Sequence, residues 1–492
     1  MVLGTTSDAG KTVITTGLCR ALARRGVRVA PFKAQNMSNN SMVTADGAEI
    51  GRAQWIQALA ARARPEAAMN PVLLKPGSDL RSHVVVMGAP ARNLEAGEFA
   101  GGRADLARAA YDAFDDLAAR YDVVVCEGAG SPAEINLRAH DFVNMGLARH
   151  AGMPALLVGD IDRGGVLAAM HGTLALLDEA DQALVAGLVV NRFRGDLGLL
   201  RPGLDTITSL TGRPVLGVVP WLAGMWLDSE DSLAVPERAS ANERPAARLQ
   251  VAVVRLPRIS NFTDLDALCI EPGLDVTFVA DARSLASADV VVIPGTRATI
   301  ADLTWMRARG LDLAVLDHAA RGGVVLGICG GFQILGREVA DPEGVEGPAG
   351  TRVPGLGLLD ATTTFSHDKV LATTAGRSLG AAVSGYEVHH GRVKVDSGDE
   401  FPGGTRQGGV FGTMWHGCLE ADAFRAAWLD VAAELVGHGG PVAGEVSFAA
   451  ARECRLDAIA DALEEHLDLD AVWRLVEHGP PPLPRVRGGV VP

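Results

Sequence analysis

Hydrophobic positions recur along this chain in two alternating forms. Short, unbroken apolar runs at 29–32, 84–87, 123–126, 155–158, 188–190 and 215–219 predict buried strands. Between them, apolar residues spaced three and four apart predict helices, as at 12–25 and 104–119. Strands that are apolar on both faces and separated by helices point to a parallel, doubly wound α/β sheet. Residues 232–248 interrupt the pattern with Pro, Ala, Ser and charge, which marks a linker between domains. A second α/β pattern follows, with strands at 251–255, 276–279, 290–293 and 324–327 and a mixed or antiparallel edge around 384–395 and 410–415. A helix is expected at 456–476, followed by a frayed Pro/Gly/Arg tail. The predicted division is a first domain at 1–231, the linker at 232–248, a second domain at 249–436 and a helical extension with its tail at 437–492.

Length agrees with this division, because 492 residues exceed what one core serves. Hydrophobic residues at 48% and charged residues at 21% are ordinary for a folded domain. A formal net charge of −14 disfavours nucleic acid and anionic membrane as partners. An anionic small substrate then needs a local basic or dipolar pocket. The six cysteines, Cys19, Cys126, Cys269, Cys329, Cys418 and Cys454, form no C-x-x-C pair. That excludes a zinc knuckle or thioredoxin motif and fits a reducing compartment. With no apolar run long enough for a bilayer and no secretory pattern, the expected location is cytoplasmic.

The first chemical signal is Gly4-Thr5-Thr6-Ser7-Asp8-Ala9-Gly10-Lys11-Thr12, between a strand and a helix. It is a phosphate loop with one extra residue between its glycines. Small residues let backbone N–H groups surround phosphate oxygens, and the helix N-terminus favours the anion. Lys11 is placed to reach the β- and γ-phosphates and Thr12 to ligate magnesium. A glycine turn that only caps a helix is the plainer alternative. Lys33, Asp46 and Glu127 follow strands of the same pattern, where ligands of open α/β sheets collect. Asp46 and Glu127 with Thr12 make a plausible Mg2+ shell, although Asp46 is also readable as a solvated loop acid. Asn191, at another strand end, is a candidate for reading the base of ATP or a turn cap. Asp160, Asp162 and Arg163 stand between a ligand site and mutual neutralisation.

The second signal is Gly327-Ile328-Cys329-Gly330-Gly331-Phe332-Gln333, again between a strand and a helix. A cysteine on such a turn is exposed at the sheet top beside a helix N-terminus, which favours the nucleophilic thiolate. His416 follows a later apolar run and is the candidate base. The N–H groups of Gly295 and Gly330 are candidates for an oxyanion hole. His389 and His390 rival His416 by composition, but their strand-like setting suits packing or substrate contact.

Together these residues resemble a known family. The elbow at 327–333 is similar to that of class I glutamine amidotransferases. Joined to a G-T-x-x-x-x-G-K-T loop, it resembles the cobyrinic acid amidase group. Longer strings, such as Glu127-Gly128-Ala129-Gly130-Ser131-Pro132-Ala133-Glu134-Ile135-Asn136-Leu137 and Gly385-Tyr386-Glu387-Val388-His389, resemble cobyric acid synthases within that group. The likeness spans residues 1 to about 475. It implies an ATP-binding synthetase domain followed by a glutamine amidotransferase domain. It implies amidation of the b, d, e and g carboxylates of adenosylcobyrinic acid a,c-diamide, with L-glutamine, ATP and Mg2+. Cys329 and His416 carry over as glutaminase nucleophile and base; Lys11, Thr12, Asp46 and Glu127 carry over as nucleotide or magnesium residues. The rival functions are amidation of another polycarboxylate, such as the a and c positions, and a partitioning-type ATPase switch. Cys329 in its elbow argues against the switch.

The sequence departs from the family pattern where an acid often follows the catalytic histidine by two residues: here that residue is Cys418, so the third member of the Cys–His pair is undetermined. Cys418 itself is read as a small buried apolar residue, with an inhibitory disulfide to Cys329 as the alternative. Finally, Met1-Val2-Leu3 is short for a central strand, which carries the expectation that translation starts further upstream.

Overall fold

Residues 1–76, 81–95, 103–224, 228, 249–439 and 442–486 are described by a computed structural model. The unbroken apolar runs of the first domain form its parallel sheet. Val2–Gly4 pairs with Ala155–Asp160, which pairs in turn with Val185–Phe193 and then Val215–Pro220. On its other side Val2 bridges Glu127, so that Val123–Cys126 and Val29–Phe32 extend the sheet. Leu3, Leu157, Val158 and Val189 are fully buried, which requires cover on both faces. The helix Lys11–Arg24 covers one face through Ile14, Leu18 and Leu22, and Val166–Leu176 covers the other. The short first strand is hydrogen-bonded on both sides, with Gly128 N donating to Val2 O and Leu156 N to Met1 O.

The apolar run at 84–87 does not join this sheet. Its strand, Arg81–Val86, runs antiparallel between Val72–Pro76 and Ala89–Glu95, in a small sheet completed by Gln35–Met37. A short apolar run fits a meander strand as well as a parallel one. The deciding feature is the turn at Met87-Gly88, both at positive φ, which folds the chain straight back.

The second domain is a seven-stranded sheet in the order Leu274–Val279, Leu249–Val254, Val290–Ile293, Val324–Ile328, Val410–Thr413, Gly404–Gln407, Asp399–Phe401. The first five strands are parallel and the last two antiparallel. A long ribbon, Ala361–Ser378 with Ala381–Val395, rises from a neighbouring antiparallel region. The mixed edge read from the sequence is this ribbon together with the last strands of the large sheet.

The predicted C-terminal helix is two helices, Phe448–His466 and Leu469–His478, the second capped by Asp468. Phe448–His466 packs on Lys11–Arg24, the helix of the phosphate loop. A Cβ at Gly17 would stand 2.5 Å from Leu463 Cδ1, so glycine is what allows the close approach. Arg20 pairs with Asp457 and Glu453, and Arg24 with Asp461. The extension therefore joins the first domain's core. Its tail does not fray as far as Val486, which is buried and exchanges hydrogen bonds with Gln182. Residues 487–492 and the expected linker at 232–248 lie outside the described residues.

The two domains meet through Met42 and Val43 against Tyr386 and Val388. Beside them, buried Arg52 and Arg452 share Asp228 and Glu420, and buried Glu49 takes both Lys75 and Lys369. Among the described residues no helix is long and apolar enough to cross a membrane.

Candidate active sites

Gly10 closes the phosphate loop at φ 93°, ψ 22°, a left-handed conformation natural to glycine. A Cβ there would lie 1.9 Å from Asn191 Nδ2. Asn191 is buried beneath the loop and donates to Ala9 O at 3.0 Å. It braces the loop and does not line the cavity above, so its place differs from the base-reading one anticipated. Lys11 curls over the loop, donating to Thr6 O, Ser7 O and Gly130 O at 2.8, 2.9 and 3.1 Å. Burial pulls its pKa down to about 8, against the attraction of Glu127. These carbonyl contacts hold the ammonium where a phosphate would otherwise sit beside it.

Glu127 gathers the other polar groups. Thr12 Oγ1 donates to its Oε1 at 2.9 Å, Lys33 Nζ to the same oxygen at 2.8 Å, and Gln57 Nε2 to Oε2 at 2.6 Å. Burial alone would raise this carboxylate; Lys33, Gln57 and Lys11 outweigh it and hold the pKa below the usual range. Thr12 and Glu127 are adjacent hard oxygen donors beside the loop, and magnesium commonly takes one or two such ligands with phosphates and water. The residues present thus fit Mg2+, without Asp46. Asp46 is exposed in the turn between Ser41–Val43 and Glu49–Gly51, accepts from Thr44 Oγ1 at 2.6 Å and does not line the cavity. The expected placement fails because a loop acid after a strand was assumed to turn inward, whereas this hairpin carries it away. Among the described residues no three His, Cys, Asp or Glu side chains converge as a metal cluster.

Asp160 and Arg163 are explained by pairing. Arg192 reaches Asp160 at 2.9 Å, while Arg163 bridges Asp160 and Asp8 of the loop at 3.5 and 2.8 Å. Lys11, Thr12, Lys33 and Glu127 face a cavity of about 820 Å3, whose far wall includes Arg258 and Phe262 of the second domain.

Cys329 stands between Val324–Ile328 and the helix Gly330–Leu335 at φ 49°, ψ −106°. Such a φ is strained for a residue with a side chain and is typical of a nucleophile elbow. The glycines behind it are required: a Cβ on Gly331 would come within 1.9 Å of Ile293 O, and one on Gly330 within 2.6 Å of Thr296 Cγ2. That same contact brings Gly330 against the Gly295-Thr296 segment. The Cys329 N–H is taken by Thr413 O at 2.7 Å, which leaves the Gly330 N–H at the start of the helix. Gly295 also lies beside His416, where a Cβ would be 3.1 Å from Cε1.

His416 and Cys329 line one cavity, close enough for the thiol's charge to act on the imidazole. Its ring stacks on Tyr386 with centroids 5.4 Å apart. The third member that the sequence left open is Asp264. Its Oδ2 lies 2.7 Å from His416 Nδ1, and its Oδ1 accepts from Gly417 N at 2.8 Å. Burial disfavours a charged imidazole here, but Asp264 and then Cys329 overcome it and lift His416 to about 10. The arrangement has the order that a nucleophile, a base and an orienting acid require. Cys418 is buried and its thiol is pushed up by burial, with Asp264 adding to the effect, so it lacks the thiolate character a disulfide partner needs. All six cysteines are free. His390 is tied to Ser366 O at 3.1 Å and driven down to about 3 by burial and Arg297. His389 lines the Cys329 cavity.

Asp264 and Gln57 escaped the sequence analysis. Asp264 does follow the strand Leu249–Val254, which lies two places from the elbow's strand in the same sheet, so the strand-end rule that found Glu127 also covers it. Gln57 sits within a helix and offers no such signal.

Residues 1–232 match the family described as a CobQ/CobB/MinD/ParA nucleotide binding domain, and residues 250–424 match a CobB/CobQ-like glutamine amidotransferase domain. A cobyric acid synthase of Mycolicibacterium vanbaalenii is 63% identical over 485 residues, covering 98% of this chain and 97% of that protein. One from Mycobacterium ulcerans is 62% identical, covering 97% and 96%. One from Mycobacterium tuberculosis is 62% identical over 497 residues, covering 99% of each. With a phosphate loop in the first half, a Cys–His–Asp constellation in the second and this likeness along nearly the whole length, the chain belongs to the cobyric acid synthase family.

Proposed function

We propose that this chain amidates the b, d, e and g side-chain carboxylates of adenosylcobyrinic acid a,c-diamide, using ATP for activation and L-glutamine as nitrogen donor. The observation that carries this is the shared wall between the two sites. Arg258, Ile259 and Phe262 line the large cavity, while Ser260 and Asn261 of the same segment line the Cys329 cavity. A carboxylate is a poor electrophile at neutral pH, and free ammonia is mostly protonated. Activation and ammonia release therefore gain from adjacency.

In the second domain His416 holds the proton that Cys329 gives up, Asp264 orients the ring and supports the imidazolium, and the Sγ thiolate attacks the glutamine carboxamide. Gly330 and Gly295 N–H groups receive the developing oxyanion. His416 then returns the proton to the departing ammonia, and water releases glutamate. In the first domain Lys11 and the loop N–H groups hold the ATP phosphates, Lys33 keeps Glu127 ionised, and the carboxylate is activated by phosphoryl transfer before ammonia displaces phosphate. Mg2+ would be held by Thr12 and Glu127 and would neutralise phosphate charge. The cavity of about 820 Å3 exceeds what a nucleotide alone needs, which leaves room for part of a large polycarboxylate.

The test is to incubate the purified chain with corrinoid acids, ATP, Mg2+ and glutamine and count amides by mass. Four additions to the a,c-diamide support the proposal. Addition only to the a and c positions, or ATP hydrolysis without amide formation, refutes it.

A further inference from the structure

The glutaminase cavity contains charged groups that the hydrolytic steps do not use. Arg297 follows Thr296 past the strand Val290–Ile293 and lines the cavity with Cys329 and His416. Its guanidinium donates no hydrogen bond to any described residue and forms no ion pair with one, although desolvation works against its charge, opposed by Glu346, then Glu49 and Cys329. The fully buried arginines among the described residues are instead satisfied by the protein itself. Arg20, Arg52, Arg425 and Arg452 are paired with carboxylates, and Arg213 donates to four backbone carbonyls. A half-buried guanidinium that lines a cavity without a protein partner is placed to take an anion there.

Glu346 lines the same cavity. Its oxygens accept from Thr299 Oγ1 and Ile300 N, both at 3.2 Å, which fixes the carboxylate at the start of the helix Thr299–Ala308. Burial raises it to about 7, because no cation comes close enough to hold it ionised; Arg297 lowers it without closing an ion pair. One wall thus presents a cation and an anion that feel each other's charge yet remain apart. That is the complement of a zwitterion. His389 adds a further polar surface: its side chain is 8% exposed and both ring nitrogens are buried without a hydrogen-bond partner.

We infer that Arg297 and Glu346 bind the head group of an α-amino acid, Arg297 its carboxylate and Glu346 its ammonium, while its side-chain amide faces Cys329. The assignment rests on the proposal that Cys329 acts on glutamine, and it names what makes that site select a free amino acid over other amides. The cavity of about 40 Å3 is smaller than an amino acid head group, so binding requires its walls to part. Arg297 supplies a planar fork to the carboxylate, and Glu346 accepts from the ammonium.

The test uses the full chain and three amide donors. These are L-glutamine, L-glutaminamide, in which the α-carboxylate is neutral, and 4-carbamoylbutyrate, which lacks the α-ammonium. Product release is measured for wild type, Arg297→Gln and Glu346→Gln, alongside synthesis driven by ammonium salts. Each variant should raise KM for glutamine by roughly 10- to 100-fold, the worth of one charge-assisted contact, with kcat little changed. Arg297→Gln should not differ from wild type on L-glutaminamide, nor Glu346→Gln on 4-carbamoylbutyrate. Ammonia-driven synthesis should be unaffected, which also shows that each variant folds. Glutamine KM values within about threefold of wild type in both variants overturn the assignment, as does a parallel fall in ammonia-driven synthesis. If wild type itself releases no glutamate from glutamine, the proposed function has failed and this assignment falls with it. If wild type releases glutamate and the variants match it, this assignment alone is wrong.

Discussion

Asp264→Asn tests the constellation at the residue the sequence did not supply. The substitution keeps the shape of the side chain and removes its charge. In the structure Asp264 is the chief group lifting His416 to about 10, against burial. Measured from the ordinary value of 6.5, that position corresponds to roughly 5 kcal/mol in favour of the imidazolium, shared between Asp264 and Cys329. A charge-assisted hydrogen bond alone is worth about 1.5–3 kcal/mol, or roughly 10- to 150-fold in rate. Asn can also donate to Nδ1, which would leave Nε2 protonated and facing Cys329 as the wrong tautomer; that pushes the loss toward about 10⁴-fold. The expected fall in glutaminase kcat is therefore at least about 100-fold. Iodoacetamide labelling of Cys329 should slow in parallel, and ammonia-driven synthesis should stay as in wild type. Stability gives an independent check. A folded pKa raised above 6.5 contributes stability that is complete below pH 6.5 and is lost as pH rises through about 10. The melting-temperature gap between wild type and variant should narrow across that window. A glutaminase kcat within about fivefold of wild type, with unchanged labelling, refutes the role given to Asp264.

Cys329→Ala should abolish glutamine-driven synthesis and preserve ammonia-driven synthesis, whereas Lys11→Ala should remove both; equal loss of ammonia-driven activity in folded Cys329→Ala would defeat the two-site account. Asp46→Asn should change synthesis at limiting Mg2+ by less than about twofold, since the residue is exposed in a hairpin turn away from Thr12 and Glu127; a tenfold rise in the Mg2+ requirement would return it to the metal shell. Leu463→Ala removes a fully buried contact with Gly17 and should cost about 2–5 kcal/mol. Calorimetry should show this as a lower unfolding temperature for the first domain, and an unchanged temperature would refute the docking of the C-terminal extension.

Much of the fold was legible because buried parallel strands leave an unmistakable trace. Val29–Phe32, Val123–Cys126 and Val290–Ile293 occupy the predicted positions without adjustment. What was not legible depends on contacts distant in sequence. Residues 84–87 look like any short apolar run, and their membership of an antiparallel meander is decided by the turn at Met87-Gly88. The docking of Phe448–His466 on Lys11–Arg24 depends on Gly17 meeting Leu463, a pairing no local pattern reveals. The sites divide in the same way. Lys11, Thr12 and Cys329 lie inside contiguous motifs whose backbone geometry is itself the signal. Asn191 was read from its strand end, and Asp46 from its loop after a strand and from the resemblance; strand-end position says which edge of a sheet a residue lies near, not which way its side chain points. Arg297 and Gln57 carried no signal beyond their residue type.

The segment from Pro257 to Asp264 shows why the remainder resists prediction. It has no hydrophobic period because each residue answers to a different neighbour. Phe262 and Ile259 face the phosphate-loop cavity, and Ser260 and Asn261 face the thiol cavity. Asn261, at φ 48°, donates to Tyr386 Oη at 2.9 Å and to Ser41 O at 3.2 Å, and its Oδ1 accepts from Ser41 N at 3.2 Å. Tyr386 in turn stacks on His416, which Asp264 orients. Ser41 lies in the hairpin whose other strand carries Glu49, where Lys75 of the first domain and Lys369 of the second converge. His416 is therefore joined to the first domain by a chain of buried contacts, polar except for the stack on Tyr386. Buried groups of this kind are stable only when every partner is present. A displacement of the Ser41–Val43 hairpin would leave Asn261 unsatisfied and would part Met42 and Val43 from Tyr386 and Val388. Polar satisfaction and apolar packing across the interface together tie the orientation of His416 to the position of the domain that holds the phosphate loop.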